Sequence, residues 1–359
     1  RRLFAQREKI MEKIVNRFAF EGDVISISPH GNGHINKTYL VSTSKRRYIL
    51  QRVNLHVFPD IDMLMNNIEI VTTHLREKGV ATLEIVKTKD GGLYLKEGEE
   101  AIRSFAFVED SVCYEALPSL EMVEEAGKGF GLFHQGLSDL DPNLLGEVIP
   151  GFHNTVSRYD FFLHQVEENA SKRLNTCLDE VEFLTSEKGN YGLIVDAIKE
   201  KRIPEGISHN DPKINNVAFS KTSGKLICVL DLDTVMPGSF LFDFGDGLRS
   251  LFTGDNEDSL DLSKLRVDLP LYEAYLRGYY GMMRGHINEE EKRLLPKSIL
   301  IITEELAMRF LGDYIAGDQY FGVSYPEHNL VRAKTQIALA KDILARMDEL
   351  GEITKRVCR

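Results

Sequence analysis

The feature that most constrains the fold is a change of hydrophobic period near residue 110. Before it, short segments that alternate between apolar and polar residues, such as 24–28 and 48–53, are separated by glycine-containing or charged turns. This pattern is typical of antiparallel strands. After it, apolar residues recur at helical spacing in almost every segment. The chain is therefore predicted to be α+β and bilobal, with a small antiparallel β-rich lobe at 1–108 and a larger, mainly α-helical lobe at 109–359.

The individual segments give this prediction its detail. Strands bounded by turn residues are predicted at 24–28, 38–43, 48–53, 83–86, 93–95, 101–108, 217–219 and 226–230. Helices are predicted at 3–20, 60–79, 122–137, 158–170, 178–187 and 191–200, and the segment from 270 to the end is again helical. A cleft between two such lobes is a common place for a ligand site.

Composition excludes several classes of function. The 359 residues are 43% hydrophobic, enough for one large or two moderate cores, and the formal net charge of −11 argues against a nucleic-acid partner. No apolar run approaches the 18 residues of a membrane span, and the start at Arg1 has no signal-peptide core. The four cysteines lack CxxC spacing, so free thiols are expected rather than disulfides or a zinc site. These features predict a cytoplasmic protein, and the sequence does not indicate its oligomeric state.

The clearest chemical motif is the segment His209–Asn216, which lies between a predicted helix and a predicted strand. Within it, Asp211 is followed five residues later by Asn216. This is the spacing of kinase catalytic loops, where the Asp accepts the proton of a substrate hydroxyl and the Asn holds Mg²⁺. The alternative is a polar turn whose side chains cap backbone groups. The hairpin that follows favours the first interpretation, because Asp231 stands at its end and can ligate the same metal.

A second carboxylate, Asp233, lies two residues after Asp231. Side chains two apart on an extended chain point the same way, so both can face the cleft, where a divalent ion would relieve their repulsion. Asp233 can also simply cap a turn. A third candidate, Asp243, begins the Asp-Phe-Gly sequence found in protein kinases, but it lies 32 residues after Asp211. We therefore interpret Asp243 as structural, hydrogen-bonded to the backbone of the catalytic loop.

The turn between the first two strands is a candidate phosphate-binding loop. It contains Gly31, Gly33 and Asn36, whose backbone N–H groups could cover phosphates. It precedes a strand and lacks the third glycine, so it is not a dinucleotide fingerprint. An ordinary hairpin loop remains the alternative. The next strand should carry the phosphate-binding Lys of a kinase, but it offers Gln51 or Arg52 and no Lys. The following helix offers Glu69 as the partner.

Together these motifs resemble the aminoglycoside phosphotransferases, a family of small-molecule kinases with a bilobal protein-kinase-like fold. A closer resemblance is to bacterial N-acetylhexosamine 1-kinases, which phosphorylate the anomeric hydroxyl of GlcNAc and GalNAc with ATP and Mg²⁺ and which also lack the strand Lys. The segments that carry it are 33–36, 48–51, 231–239, 242–246, 308–311 and 325–332.

The resemblance implies roles for individual residues. Asp211 would be the base, and Asn216 and Asp231 would hold the metal. His34, Arg309 and Tyr320 would contact the sugar, a role that spacing alone does not give to Arg309 or Tyr320. The predicted cofactors are ATP and Mg²⁺, and the predicted partner is a small-molecule sugar.

Two alternatives stay open at the level of sequence. One is a kinase for another small hydroxyl compound, such as homoserine, choline or a different sugar. The other is a non-catalytic kinase-like binding module, which the presence of Asp211, Asn216 and Asp231 disfavours.

Overall fold

The first lobe is built on a five-stranded antiparallel sheet. The computed structural model describes residues 11, 13–31, 36–98 and 100–359. The strands run β1 (Val24–Pro29), β2 (Lys37–Thr43), β3 (Arg47–Val53), β4 (Leu95–Glu97) and β5 (Glu100–Ala106), in the order β1-β2-β3-β5-β4. Because β5 pairs with β3, the helix between them lies outside the ladder and packs on the sheet.

The two faces of this sheet have different neighbours. Tyr48 and Leu50 pack with Ile14 and Phe18 in a small core on one face. The opposite face, with Val53, joins the main core together with helix α1 (Ile61–Glu77). Alternation along the strands therefore decides which residues of β3 and β5 are directed toward α1 and the second lobe.

Nine helices form most of the second lobe: α2 (Leu120–Leu137), α3 (Thr155–Glu168), α4 (Leu178–Ser186), α5 (Leu193–Lys199), α6 (Phe240–Thr253), α7 (Leu269–Met283), α8 (Glu289–Ala316), α9 (His328–Ala345) and α10 (Met347–Val357). Helices α2 and α7 cross at close range, since a Cβ at Gly127 or Gly278 would clash with a backbone carbonyl of the other helix. Because these glycines carry no side chain, the two helices can pack tightly against each other.

Two loops of the second lobe are each flanked by short strands. They are β6 (Ser111–Val112), β7 (Gly206–Ser208), β8 (Val217–Ser220), β9 (Leu226–Val229) and β10 (Met236–Gly238), and they form a β6-β8-β9 sheet and a β7-β10 pair. The segment 209–216, here called the catalytic loop, connects β7 to β8. The segment 231–234, here called the acidic loop, connects β9 to β10. Pairing of β7 with β10 and of β8 with β9 brings the two loops side by side.

The predicted α+β bilobal class is confirmed, with corrections in detail. The segment 83–86 is not a strand, because only Ile85 makes an isolated bridge, to Phe105. Helix α6 was not predicted although it has 14 residues. The three-residue strands β7 and β10 were not predicted either, since strands so short carry little periodic signal. Half of the predicted 3–20 helix lies outside the described residues. Of the other half, only 11 and 13–15 are helical, so the helix does not extend to residue 20. The lobe boundary between 108 and 109 stays a prediction.

Two predicted absences concern the described part of the chain. No helix there is long and apolar enough to cross a bilayer. All four cysteines are free thiols, with Cys113 exposed and the other three buried. The expectation of free thiols is therefore confirmed.

Candidate active site

The catalytic loop is fixed first by a buried histidine. His209 accepts the N–H of Asp211 at Nδ1 (3.2 Å), so its proton lies on Nε2, which donates to the carbonyl of Leu230 (2.8 Å). Burial lowers the pKa of His209, which agrees with a neutral ring that both accepts and donates. The imidazole thereby ties the catalytic loop to the end of β9.

Asn210 turns the chain so that Asp211 leaves the core. Its φ of +66° lies in the left-handed region, which a non-glycine residue enters at a cost in free energy. Its side chain donates to the carbonyl of Thr234 (2.9 Å), so it links the catalytic loop to the acidic loop. These bonds hold a backbone conformation that the local sequence alone would disfavour.

Asp243 anchors the same loop from α6. It is buried and accepts the N–H of His209 (2.6 Å), the N–H of Asn210 (2.7 Å) and Nε2 of His134 (2.8 Å). Burial opposes its charge, but the bonds from His134 and His209 outweigh it and hold the pKa below the ordinary value. The prediction that Asp243 hydrogen-bonds the catalytic-loop backbone is confirmed. The Tyr279 hydroxyl, 2.8 Å from His134 Nδ1, extends the network.

Asp211 itself is half-buried and already has two polar neighbours. Lys213 Nζ lies 3.1 Å from Oδ1, and the side-chain nitrogen of Asn216 donates to Oδ2 (3.2 Å) and to the main-chain oxygen of Asp211 (2.8 Å). The structure thus brings the predicted base and the predicted metal ligand Asn216 together. Because the amide nitrogen faces Asp211, the amide oxygen is the atom that could meet a cation.

Asp231 opens the acidic loop in a strained conformation. Its φ is +57°, and the residue is exposed to solvent. The protein packed around the carboxyl, followed by the charges of Asp233 and Asp211, raises its pKa to about 7. This is a site of high negative charge density, which a cation would stabilise. Among the described residues, no three His, Cys, Asp or Glu side chains form a preformed metal cluster.

Asp233 has protein partners instead of facing open cleft. It is buried, with Oδ1 2.5 Å from Arg103 Nη2 and Oδ2 accepting the side-chain N–H of Asn36 (2.7 Å). Asn36 also accepts the N–H of Asn54 (3.0 Å), so the first turn of the sheet is tied to the acidic loop. The expectation that both carboxylates face the cleft side by side is therefore not met. The role of Asp233 as a metal ligand stays a prediction.

The other predicted nucleotide residues are spread over the first lobe. Gly31 has a φ of +71°, as a tight turn requires. Gly33 and His34 lie outside the described residues. Gln51 accepts two bonds from Arg103, at 3.0 and 2.9 Å. Glu69 is paired with Lys87 (2.7 Å), so the expected strand–helix pair between Gln51 and Glu69 is not present in the structure.

A cavity of about 360 Å³ joins the catalytic loop to Arg309, one of the residues predicted to contact the sugar. It is lined by Asp211 and Lys213 on one side and by Arg309 and Phe321 on the other. An adjoining cavity of about 280 Å³ shares Arg309 and Phe321 and includes Tyr320, which is 72% exposed. The structure therefore places Arg309 and Tyr320 in one pocket next to Asp211. A larger cavity, about 800 Å³, lies against Met11, Lys13, Ile14 and Arg17 and shares no lining residue with these loops.

Comparison with known proteins identifies the family. The model of the phosphotransferase enzyme family matches residues 26–279, more than half of the chain. The chain belongs to this phosphotransferase family.

Solved structures agree with the fold of the phosphotransferase. An aminoglycoside phosphotransferase from Alicyclobacillus acidocaldarius superposes with a TM-score of 0.64 at 15% identity, over 96% of both chains. A microcompartment-associated aminopropanol kinase gives 0.63 at 14% identity, over 96% of this chain and 98% of the other. An amicoumacin kinase in complex with AMP-PNP and Ca²⁺ gives 0.58 at 15% identity, over 93% of both chains. At these identities the likeness is one of fold.

Sequence reasoning missed several side chains of this phosphotransferase site. Arg103 gave a weak signal, as a charge that alternates with apolar residues on a buried strand. His153, which lines the cavity and lies 3.1 Å from the buried Glu305, gave none. Phe152 gave none either, although the Arg309 guanidinium lies 5.3 Å from its ring centre. Residues far apart in the chain meet here, and no local pattern encodes that meeting.

Proposed function

We propose that this phosphotransferase transfers the γ-phosphoryl group of ATP to the anomeric hydroxyl of an N-acetylhexosamine, GlcNAc or GalNAc, with Mg²⁺. The observation that carries the proposal is that Asp211 and Arg309 line one cavity. Asp211 has the sequence context of a kinase base, and Arg309 is the residue that the resemblance to N-acetylhexosamine 1-kinases assigns to the sugar. A family of phosphotransferases supplies the reaction class.

Asp211 would act as the base. The bond between the anomeric oxygen and the γ-phosphorus forms while the bond from that phosphorus to the leaving oxygen of ADP breaks, and the hydroxyl proton passes to Asp211. The ring oxygen withdraws charge from the anomeric hydroxyl, so the carboxylate accepts the proton late in this step. Lys213 Nζ lies beside the Asp211 carboxylate, so its positive charge would stabilise the negative charge that develops on the transferred phosphoryl group.

Asn216 and Asp231 would hold the metal. Both offer oxygen atoms, which Mg²⁺ prefers, and in kinases one or two protein ligands suffice because phosphates and water complete the shell. The lack of a preformed three-carboxylate cluster in the described residues fits such a shared site. Bound Mg²⁺ would neutralise the charge of the phosphates, and Asp231 would gain a counter-charge for its crowded carboxylate.

The pocket beyond Asp211 suits an uncharged, hydroxyl-rich acceptor. The Arg309 guanidinium lies 5.9 Å from the ring centre of Tyr320 and 5.5 Å from that of Phe321, which gives an apolar frame around a charged donor. Arg158 and Arg309 both line this end of the pocket, against the single carboxylate of Asp313, so its net charge is positive. A cation such as choline would be repelled there. Amino alcohols are also cations, so they rank below sugars as candidate acceptors. They remain the second candidate class because one structure of similar fold is an aminopropanol kinase.

One assay tests the proposal. ADP release with Mg²⁺-ATP is measured across sugars, amino alcohols and aminoglycosides, with Asp211→Asn as the matched inactive control. We expect turnover with GlcNAc or GalNAc, and a ³¹P NMR spectrum of the 1-phosphate. Turnover with amino alcohols alone, or phosphate on the 6-hydroxyl, would contradict the proposal.

The metal assignment has a test of its own. Asp231→Ala removes a carboxylate from the cation and should leave activity near background, partly restored by higher Mg²⁺. Asp139→Ala, at a carboxylate that is half-exposed and paired with His74, should keep the Mg²⁺ dependence of the wild type. An Asp231→Ala enzyme with an unchanged Mg²⁺ requirement would show that the ligand is wrongly assigned.

A further inference from the structure

The third strand lacks the lysine that a kinase uses on nucleotide phosphates, and an arginine from the next strand reaches the same place. Gln51 is one of the two residues that β3 offers in the role of that lysine, and its direct cross-strand partner on β5 is Arg103. Nε and Nη2 of Arg103 donate to Gln51 Oε1 at 3.0 and 2.9 Å. Gln51 in turn donates to Thr38 Oγ1 on β2 (3.2 Å). A positive charge is thus held at this point by a ladder across three strands.

Arg103 faces the acidic loop of the other lobe. Its side chain is 1% exposed, and Nη2 lies 2.5 Å from Oδ1 of Asp233, two residues from Asp231. This short contact is a buried ion pair between the two lobes. The neighbour of Nη1 is the thioether of Met65 at 4.0 Å, a weak acceptor. Arg103 therefore keeps donor capacity for a stronger acceptor.

The other arginines of β3 are paired with carboxylates elsewhere. Arg52, next to Gln51 on the opposite face of β3, is paired with Glu100 (2.9 Å). Arg47, at the far end of β3, is paired with Glu109 and lies over the ring of Phe107. Arg103 is the cation of β3 and β5 that approaches Asp231 and Asp233. A guanidinium forms two parallel bonds to phosphate oxygens, which an ammonium does not.

We propose that Arg103 is the phosphate-binding cation of the nucleotide site, supplied from β5 in place of the missing lysine of β3. This inference rests on the proposed use of ATP. Gln51 orients the guanidinium, and Asp233 holds it near the metal position. Phosphate oxygens of the nucleotide then accept from Nη1, whose neighbour here is the weakly accepting Met65 thioether.

The test separates phosphate binding from a structural tie between the lobes. Affinities for AMP-PNP and for adenosine, both with Mg²⁺, are measured by calorimetry for the wild type, Arg103→Gln and Arg103→Lys. We expect Arg103→Gln to bind AMP-PNP about 10- to 100-fold more weakly, as the loss of charged hydrogen bonds implies, and adenosine within about twofold of the wild type. Arg103→Lys should recover part of the AMP-PNP affinity, since it restores the charge without the fork.

Two further variants keep the result decisive. Arg103→Gln leaves the carboxylate of Asp233 buried without a counter-charge, which can destabilise the fold. The double variant Arg103→Gln with Asp233→Asn removes both charges and should fold. It should still bind AMP-PNP little more tightly than adenosine. Arg52→Gln, on the opposite face, should bind both ligands like the wild type. Equal weakening of AMP-PNP and adenosine, or unchanged AMP-PNP affinity in Arg103→Gln, overturns the inference while the proposed function stands. A wild type that does not bind AMP-PNP overturns both.

Discussion

Replacing Asp243 by alanine removes the central acceptor beneath the catalytic loop. Three buried donors lose their partner: the N–H groups of His209 and Asn210 and the Nε2 of His134. An unsatisfied buried donor costs about 1–3 kcal/mol, and breaking a buried charged pair costs about 3–5 kcal/mol. A water molecule can enter the space that the carboxylate leaves and partly satisfy the three donors, so the lower end of the range applies to each donor. We therefore expect a loss of about 3–5 kcal/mol in the free energy of unfolding.

This loss is measured by urea unfolding followed by circular dichroism and by thermal melting. At about 2 °C per kcal/mol for a chain of this size, the melting temperature should fall by roughly 6–10 °C. Asp243→Asn keeps one acceptor and should lose less. Asp139→Ala is the control, because that carboxylate bonds His74 but is 54% exposed, and its loss should leave the melting temperature nearly unchanged. An Asp243→Ala protein that melts within 2 °C of the wild type would refute the anchoring role.

The remaining predictions address catalysis, substrate and pH. Asp211→Asn should lower kcat by about 10² to 10⁴ with the KM for sugar little changed and the melting temperature kept, as steady-state kinetics and a melt will show. Arg309→Ala should raise the KM for GlcNAc by roughly one to two orders of magnitude and leave that for ATP unchanged. Burial raises the pKa of Glu304 to about 9, so the folded state binds its proton more tightly and the wild type loses stability as pH rises from about 4.5 to 9. Glu304→Gln should therefore melt higher than the wild type at pH 8 but not at pH 5.

Local sequence patterns were enough to predict features that depend on residues close together in the chain. The alternation of 48–53 and the helical stripe of α1 place strand and helix correctly, because burial of one face dictates the period. The spacing of Asp211 and Asn216 likewise predicts their contact, since five residues of one loop span it. Asp243 was predicted to bond the catalytic loop even though its helix, α6, was not predicted.

Contacts between distant segments were decided by the tertiary structure. The sequence pairs Asp233 with Asp231, yet folding gives Asp233 a partner from β5, because removing a carboxylate from water requires a counter-charge. Glu69 was expected opposite Gln51 but pairs with Lys87, since the pitch of α1 and the course of the following segment set its neighbour. The sequence by itself predicted the α+β bilobal class and placed Asp211 and Asn216 in one loop. Only the packing of the lobes decided which cation stands beside Asp233 and that Arg309 and Tyr320 share a pocket next to Asp211, because those distances depend on how whole elements pack and not on spacing along the chain.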